Sequence, residues 1–241
     1  MFERSPAFPL PLVILLALAQ LTQPAVSQAQ GSNTVNRQLE CTLPNGSHAK
    51  LTVQLANSEM EQSQAVVLDW LLTTDRSAYA DGGYLNLVRT LHLDGKSRCR
   101  FLFEIIDREL ASSSDLQFAQ VLISLVQSIP YRVPPVEMAG RPTLGLLPPV
   151  VALGEGYGDC DTKSLLFAAL ATHRFPVLYL VGPQHAFIGL PLSPSAGQCY
   201  VTIEDRSWVL CELTHQWAIG KLPQDSIDDI AANRYEYVIL R

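Results

Sequence analysis

A glycine-rich loop, Gly154–Gly158, runs without a break into the apolar segment Leu165–Leu170. Cys160 lies between them, at the point where a helix would begin. The first N–H groups of a helix have no intrahelical acceptor and form the positive end of its dipole. Both effects favour a thiolate over a thiol, and the thiolate is the nucleophilic form of cysteine. We therefore predict a helix from Cys160 to about Arg174 with a reactive cysteine at its N-terminus.

Two other residues, both downstream of Cys160, complete a candidate catalytic set. His185 opens an apolar strand directly after a turn, and Glu212 lies just beyond the apolar run Trp208–Leu210. A cysteine, a histidine and an acid can act as the nucleophile, the general base and the group that orients the base. These residue types, in this order, predict thiol-dependent catalysis by Cys160, His185 and Glu212.

Each of these assignments has a competing explanation. Most free cysteines are small buried hydrophobes, but the neighbours of Cys160 are two aspartates rather than leucines, which favours a site over a core. The rivals for the base and the acid are His215, Glu204 and Asp205. The last two lie in a predicted hairpin turn, where carboxylates are usually solvated. The chain has no C-x-x-C or H-E-x-x-H spacing, so we predict neither a metal nor a cofactor.

The predicted Cys160 helix is followed by several strands in succession. They are Val177–Val181, His185–Leu190 and a hairpin of Tyr200–Ile203 and Trp208–Leu210. A helix that precedes consecutive strands predicts an α+β fold, with the nucleophile helix packed on an antiparallel β-sheet. The nucleophile would then lie at the helix N-terminus, and its partners on neighbouring strands.

The rest of the chain has weaker signals. Asn45-Gly46 is a strong two-residue turn signal and predicts a hairpin over Gln38–Leu55. The other predicted elements are a helix over 61–73, two ambiguous and mostly strand-like runs over 84–93 and 100–106, and a helix with Asp115 in its first turn that ends at Ile129-Pro130 and is capped by one of the serines 112–114. The proline- and glycine-rich stretch 134–153 has no periodicity. We predict that it is a long loop that forms one wall of the site.

Residues 1–29 have the features of a secretory signal peptide: a short polar start, an apolar run and small residues at cleavage spacing. The apolar run is shorter than a membrane span requires, which favours cleavage over an uncleaved anchor. We expect an exported protein, periplasmic or secreted, with no transmembrane span once the signal is removed. Residues 30–110 would form an N-terminal extension or subdomain, and 111–241 a catalytic domain. The net charge of −6 argues against nucleic acid as a partner.

Export changes the interpretation of the five cysteines. If Cys160 is the nucleophile, four cysteines remain, and these can pair in three ways. We favour the disulfides Cys41–Cys99 and Cys199–Cys211, because the second pair flanks the predicted hairpin. The alternative is four unpaired buried thiols.

The residues around the three candidates, together with one upstream segment, form short sequence blocks. They are Gly158–Asp161, Lys163–Leu166 and Ala168–Leu170 around the cysteine, His185–Phe187, Trp208–Thr214 with Ile219–Pro223 around the acid, and Val126–Tyr131 upstream. Together these blocks, within Leu116–Pro223, resemble the bacterial transglutaminase-like cysteine protease superfamily, whose fold is papain-like. The chain departs from that pattern at Thr162, where many members have a second acid, at His173–Phe175, which lacks the usual glycine, and at Glu212, which replaces Asp.

The resemblance implies acyl transfer through a thioester. We expect a protein or peptide substrate, and the cell envelope is a candidate location for it. Backbone N–H groups at the helix start, that of Cys160 among them, would stabilise the oxyanion, and Gln127 is a further candidate donor. Hydrolysis by a peptidase or amidase is the leading expectation. The alternatives are a transglutaminase, which passes the acyl group to an amine, and a binding module that keeps the fold without activity.

Overall fold

The computed structural model describes residues 33–74, 82–110 and 113–241, so the predicted signal peptide lies outside the described residues. The elements are β1 (Thr34–Thr42), β2 (His48–Ala56), α1 (Asn57–Thr73), α2 (Gly83–Arg98), α3 (Arg100–Glu109), α4 (Asp115–Ser128), β3 (Glu137–Met138), β4 (Arg141–Pro142), α5 (Pro149–Glu155), α6 (Cys160–Ala171), β5 (Val177–Val181), β6 (Ala186–Leu190), β7 (Tyr200–Ile203), β8 (Arg206–Cys211), α7 (Gln224–Ala231) and β9 (Glu236–Leu240). Within these ranges no helix is long and apolar enough to span a bilayer.

A five-stranded sheet forms the C-terminal half, in the order β7-β8-β6-β5-β9, and every neighbouring pair is antiparallel. Successive residues of a strand point to opposite faces. Val177 and Tyr179 therefore pack into the core that α6 shares, whereas Leu178 and Leu180 pack into a second cluster with Ile227 of α7. The predicted α+β architecture, with the Cys160 helix on an antiparallel sheet, is confirmed.

The N-terminal hairpin and α4 also have the predicted form. β1 and β2 pair in register around the Asn45-Gly46 turn, where Gly46 has a φ of 81°, a value that glycine adopts easily. Ser114 caps α4 in a capping box with Gln117. The two elements are tied together because the N–H of Thr42 donates to the side chain of Ser124 in α4, at 2.9 Å.

Residues on both sides of the predicted boundary at 110/111 contribute to one hydrophobic core. Val67 of α1, Leu91 of α2 and Leu122 of α4 all belong to the same buried cluster as Leu165 of α6. The helix that carries Cys160 is therefore enclosed by the N-terminal part of the chain as well as by the sheet.

Two predicted strands and one predicted loop were wrong. The runs 84–93 and 100–106 are the helices α2 and α3. Their buried residues, such as Val88, Leu91 and Gly95 in α2, recur at helical spacing, but short apolar runs fit either period. The stretch 134–153 contains the short hairpin β3–β4 and the start of α5, which has Pro149 at its first turn. The helix from Cys160 ends at Ala171, short of the predicted Arg174.

Neither predicted disulfide is formed, since all five cysteines are free thiols. Cys199 precedes β7, and its carbonyl accepts a hydrogen bond from the N–H of Leu210, so Cys211 is one residue out of register with it. A shift of one residue turns a side chain to the opposite face of the sheet. Cys41 lies in β1, which packs on α4, whereas Cys99 lies at the junction of α2 and α3.

Candidate active site

Cys160 begins α6, as predicted, and its side chain is 8% exposed. The preceding Asp159 is the N-cap, whose carboxylate accepts the N–H of Thr162 at 3.0 Å. The loop before it is held by an upstream segment: Gly158 donates its N–H to the carbonyl of Pro130 and accepts the N–H of Arg132. A Cβ at Gly158 would lie only 2.7 Å from the Thr162 side chain, so this tight approach requires glycine. The glycines before the cysteine thus permit a compact, fixed turn.

His185 and Glu212 come together at one end of the sheet. His185 directly precedes β6, and Glu212 directly follows β8. These strands are antiparallel neighbours in which Ile188 lies opposite Cys211, so the start of one meets the end of the other. Nε2 of His185 donates to Oε2 of Glu212 at 2.5 Å, and the side chain of Cys160 lies close enough to the ring to interact with it. The three predicted residues therefore lie together.

The charges of this set support one another. Burial by itself would lower the pKa of His185, but the hydrogen bonds with Cys160 and Glu212 and the charges of both raise it to about 10. Glu212 is only 1% exposed, and burial would raise its pKa. The bond from His185 and two bonds from Thr214, whose N–H and hydroxyl donate to Oε1 at 2.6 and 2.7 Å, lower that pKa instead. The arrangement therefore favours an imidazolium ring held by an ionised carboxylate.

Gln127 does not serve as the predicted oxyanion donor. Its side-chain amide donates to the carbonyls of Glu212 and Trp217, at 2.8 and 3.0 Å. Both hydrogens of the amide are committed to these backbone groups. Gln127 therefore fastens the segment after β8 to α4, and its role is to position the acid.

The rival residues lie away from the imidazole–carboxylate pair. His215 is exposed, and Glu204 and Asp205 are exposed in the β7–β8 turn, as predicted for turn carboxylates. The φ angles of Glu204 and Asp205 are 51° and 57°. Two such consecutive residues are typical of a type I′ hairpin turn.

A cluster of an acid and two tyrosines beside Cys160 was missed by sequence reasoning. The hydroxyl of Tyr179 in β5 donates to the Asp161 carboxylate at 3.3 Å, and the hydroxyl of Tyr84 in α2 lies 3.4 Å from that of Tyr179. Burial and the negative charge of Asp159 raise the pKa of Asp161 to about 6, in spite of the tyrosine hydrogen bonds that lower it. Tyr84 of α2 is far from α6 and β5 in sequence, and no local sequence pattern predicts that these three side chains come together.

A comparison of the chain with family models, curated proteins and solved structures finds no match. The resemblance to transglutaminase-like proteases therefore stays a prediction. Among the described residues, no group of three or more His, Cys, Asp or Glu side chains is placed to hold a metal ion. The function must be argued from the geometry of the thiol, the imidazole and the carboxylate.

Proposed function

We propose that this chain is an exported thiol hydrolase, a peptidase or amidase that acts by acyl transfer through Cys160, His185 and Glu212. The observation that carries the proposal is the His185 ring, which is bonded to the buried Glu212 carboxylate and interacts with the Cys160 side chain at the start of α6. A buried carboxylate on one side of an imidazole and a thiol at a helix N-terminus on the other are the parts that nucleophilic catalysis by cysteine needs.

The first half of the reaction forms a thioester. The thiolate of Cys160 attacks the carbonyl carbon of an amide, and the C–N bond breaks as the proton on His185 passes to the leaving amine. The N–H groups of Cys160 and Asp161 would hold the oxyanion, since they have no acceptor among the described residues, whereas those of Thr162 and Lys163 donate to Asp159. The acyl group remains on Sγ.

The second half releases the acid. His185, now neutral, takes a proton from a water molecule whose oxygen attacks the thioester carbon. The C–S bond breaks, a carboxylic acid leaves, and the thiolate and imidazolium are restored. Glu212 keeps the ring in one orientation throughout, because both of its oxygens are occupied by Thr214 and His185.

An apolar rim beside the thiol supports an extended peptide or protein substrate. Tyr131 forms an isolated β-bridge with Gly158. Burial, and to a smaller extent the charge of the nearby Cys160, raises the pKa of the Tyr131 hydroxyl. Tyr131 and Val133 are nevertheless 52% and 64% exposed, on the segment that borders the cysteine loop. Exposed large side chains next to a nucleophile offer contacts to the residues on either side of a scissile amide.

The test is the rate of alkylation of Cys160 by iodoacetamide as a function of pH, followed by mass spectrometry of the cysteine peptides. We expect Cys160 to be alkylated at pH 6 much faster than the cysteine of an ordinary peptide, because the imidazolium stabilises its thiolate. Cys41, Cys99 and Cys211 are internal controls, since burial raises the pKa of each of these thiols. They should react only after unfolding. Alkylation of Cys160 at pH 6 no faster than that of the peptide would contradict the proposal.

A further inference from the structure

Lys163 is a fully buried cation one turn away from the nucleophile. It is the fourth residue of α6, counting Cys160 as the first, and only 1% of it is exposed. Its ammonium group donates to the carbonyl of Leu213, the residue after Glu212, at 3.3 Å. Taking an ammonium ion out of water costs several kcal/mol unless nearby groups compensate. The compensation here comes from the segment that carries the catalytic acid.

The charge that faces Lys163 is that of Glu212. Burial lowers the pKa of Lys163 to about 8, and the negative charge of Glu212 opposes that change. Helices α2, α3, α4 and α5 and strands β5 and β6 pack against α6, but among the described residues Glu212 is the charged group that acts on the Lys163 ammonium. At neutral pH the lysine is therefore mostly protonated and lies beside an ionised carboxylate.

We propose that Lys163 is a positioning residue for the catalytic set: its ammonium group anchors the backbone at Leu213, and its charge adds to the His185 and Thr214 contacts that keep Glu212 ionised, so that His185 retains its carboxylate partner. This inference rests on the proposed function. Lys163 would link α6, which starts at the nucleophile, to the segment after β8, which carries the acid. The alternative is a bridge that only ties α6 to the segment after β8.

The variants Lys163→Met and Lys163→Gln separate these two explanations. Met fills the space of the lysine without a charge or a donor, and Gln supplies a neutral donor. Without the cation, Glu212 takes up a proton more easily as the pH falls, and His185 then loses its charged partner. We expect the acidic limb of the Cys160 alkylation profile to move up by about one pH unit in both variants.

The matched control is Ser164→Ala. Ser164 is the next residue of α6, it is fully buried, and its hydroxyl has no hydrogen-bond partner in the part of the chain that the structure describes. Its removal takes away a buried polar group without touching the charges of the site. The alkylation profile of this variant should superimpose on that of the wild type, and circular dichroism shows in each case that the helices are retained.

Each outcome decides between the explanations. Rapid wild-type alkylation at pH 6, with the acidic limb raised in the Met and Gln variants, supports the positioning role. Rapid wild-type alkylation with both neutral variants unchanged, or with only Met affected, overturns it and leaves the proposed function intact. Wild-type alkylation at pH 6 no faster than that of an ordinary cysteine peptide contradicts the proposed function itself, and the positioning role with it.

Discussion

Replacing His185 with Ala should lower the alkylation rate of Cys160 at pH 6 by about tenfold to 100-fold. Without the imidazolium, little thiolate is stabilised at pH 6. The loss of rate is smaller than the loss of thiolate, because a more basic thiolate is also a better nucleophile. The pH profile is therefore the decisive measurement: the reaction at pH 6 should be lost, whereas the reaction at high pH should remain.

The matched control for this prediction is His215→Ala. His215 lies three residues beyond Glu212 and is exposed, whereas the ring of His185 donates directly to the carboxylate. Removal of His215 should leave the profile unchanged. If the His215 variant loses the low-pH reaction and the His185 variant keeps it, the assignment of the base is reversed.

The parts of the site that local signals encode could be predicted from the sequence. The glycines and Asp159 before Cys160 mark a helix N-terminus, and the structure has the capped helix start there. His185 and Glu212 could be placed at strand ends, because the strands around them are short, apolar and bounded by turns. Their contact then follows from the pairing of antiparallel neighbours, β6 with β8.

The parts that depend on tertiary contacts could not be predicted. Lys163 follows an aspartate and a threonine and has the composition of a solvated helix start, yet α6 is enclosed on all sides and the lysine is buried. The role of Gln127 depends on backbone carbonyls of residues 212 and 217, which no sequence pattern connects with α4. The helix α2 was read as a strand because its apolar residues fit both periods, and burial against α6 decides between them.

The second large effect is a gain in stability. Asp161→Asn should raise the free energy of unfolding at pH 7 by about 1–3 kcal/mol. Burial and the charge of Asp159 raise the pKa of Asp161 from 3.8 to about 6 in the folded protein. The folded state therefore binds this proton more tightly than the unfolded state does, and the contribution of Asp161 to stability falls as the pH rises from about 4 to 6. Above that window the ionised carboxylate opposes folding, and Asn at this position does not.

Urea unfolding of both proteins at pH 4, 5.5 and 7 measures this effect. The difference in unfolding free energy between variant and wild type should be close to zero at pH 4 and should grow towards pH 7. The contribution of the other titrating groups cancels in this difference, because both proteins share them. The control is Asp225→Asn: Asp225 is also the second residue of its helix, α7, but it is exposed. That variant loses only the interaction with the helix dipole and should be destabilised by about 0.5 kcal/mol. A constant difference for Asp161→Asn would contradict the prediction.

An acid that opposes folding at neutral pH has a functional explanation in its location. Asp161 is the residue after the nucleophile, and Tyr179 donates to both its carboxylate and its backbone carbonyl. The carboxylate thus orients the start of α6, where the N–H groups proposed to hold the oxyanion lie. If Asp161→Asn stabilises the fold and also slows the alkylation of Cys160, the site keeps this carboxylate at the expense of stability, as active sites commonly do.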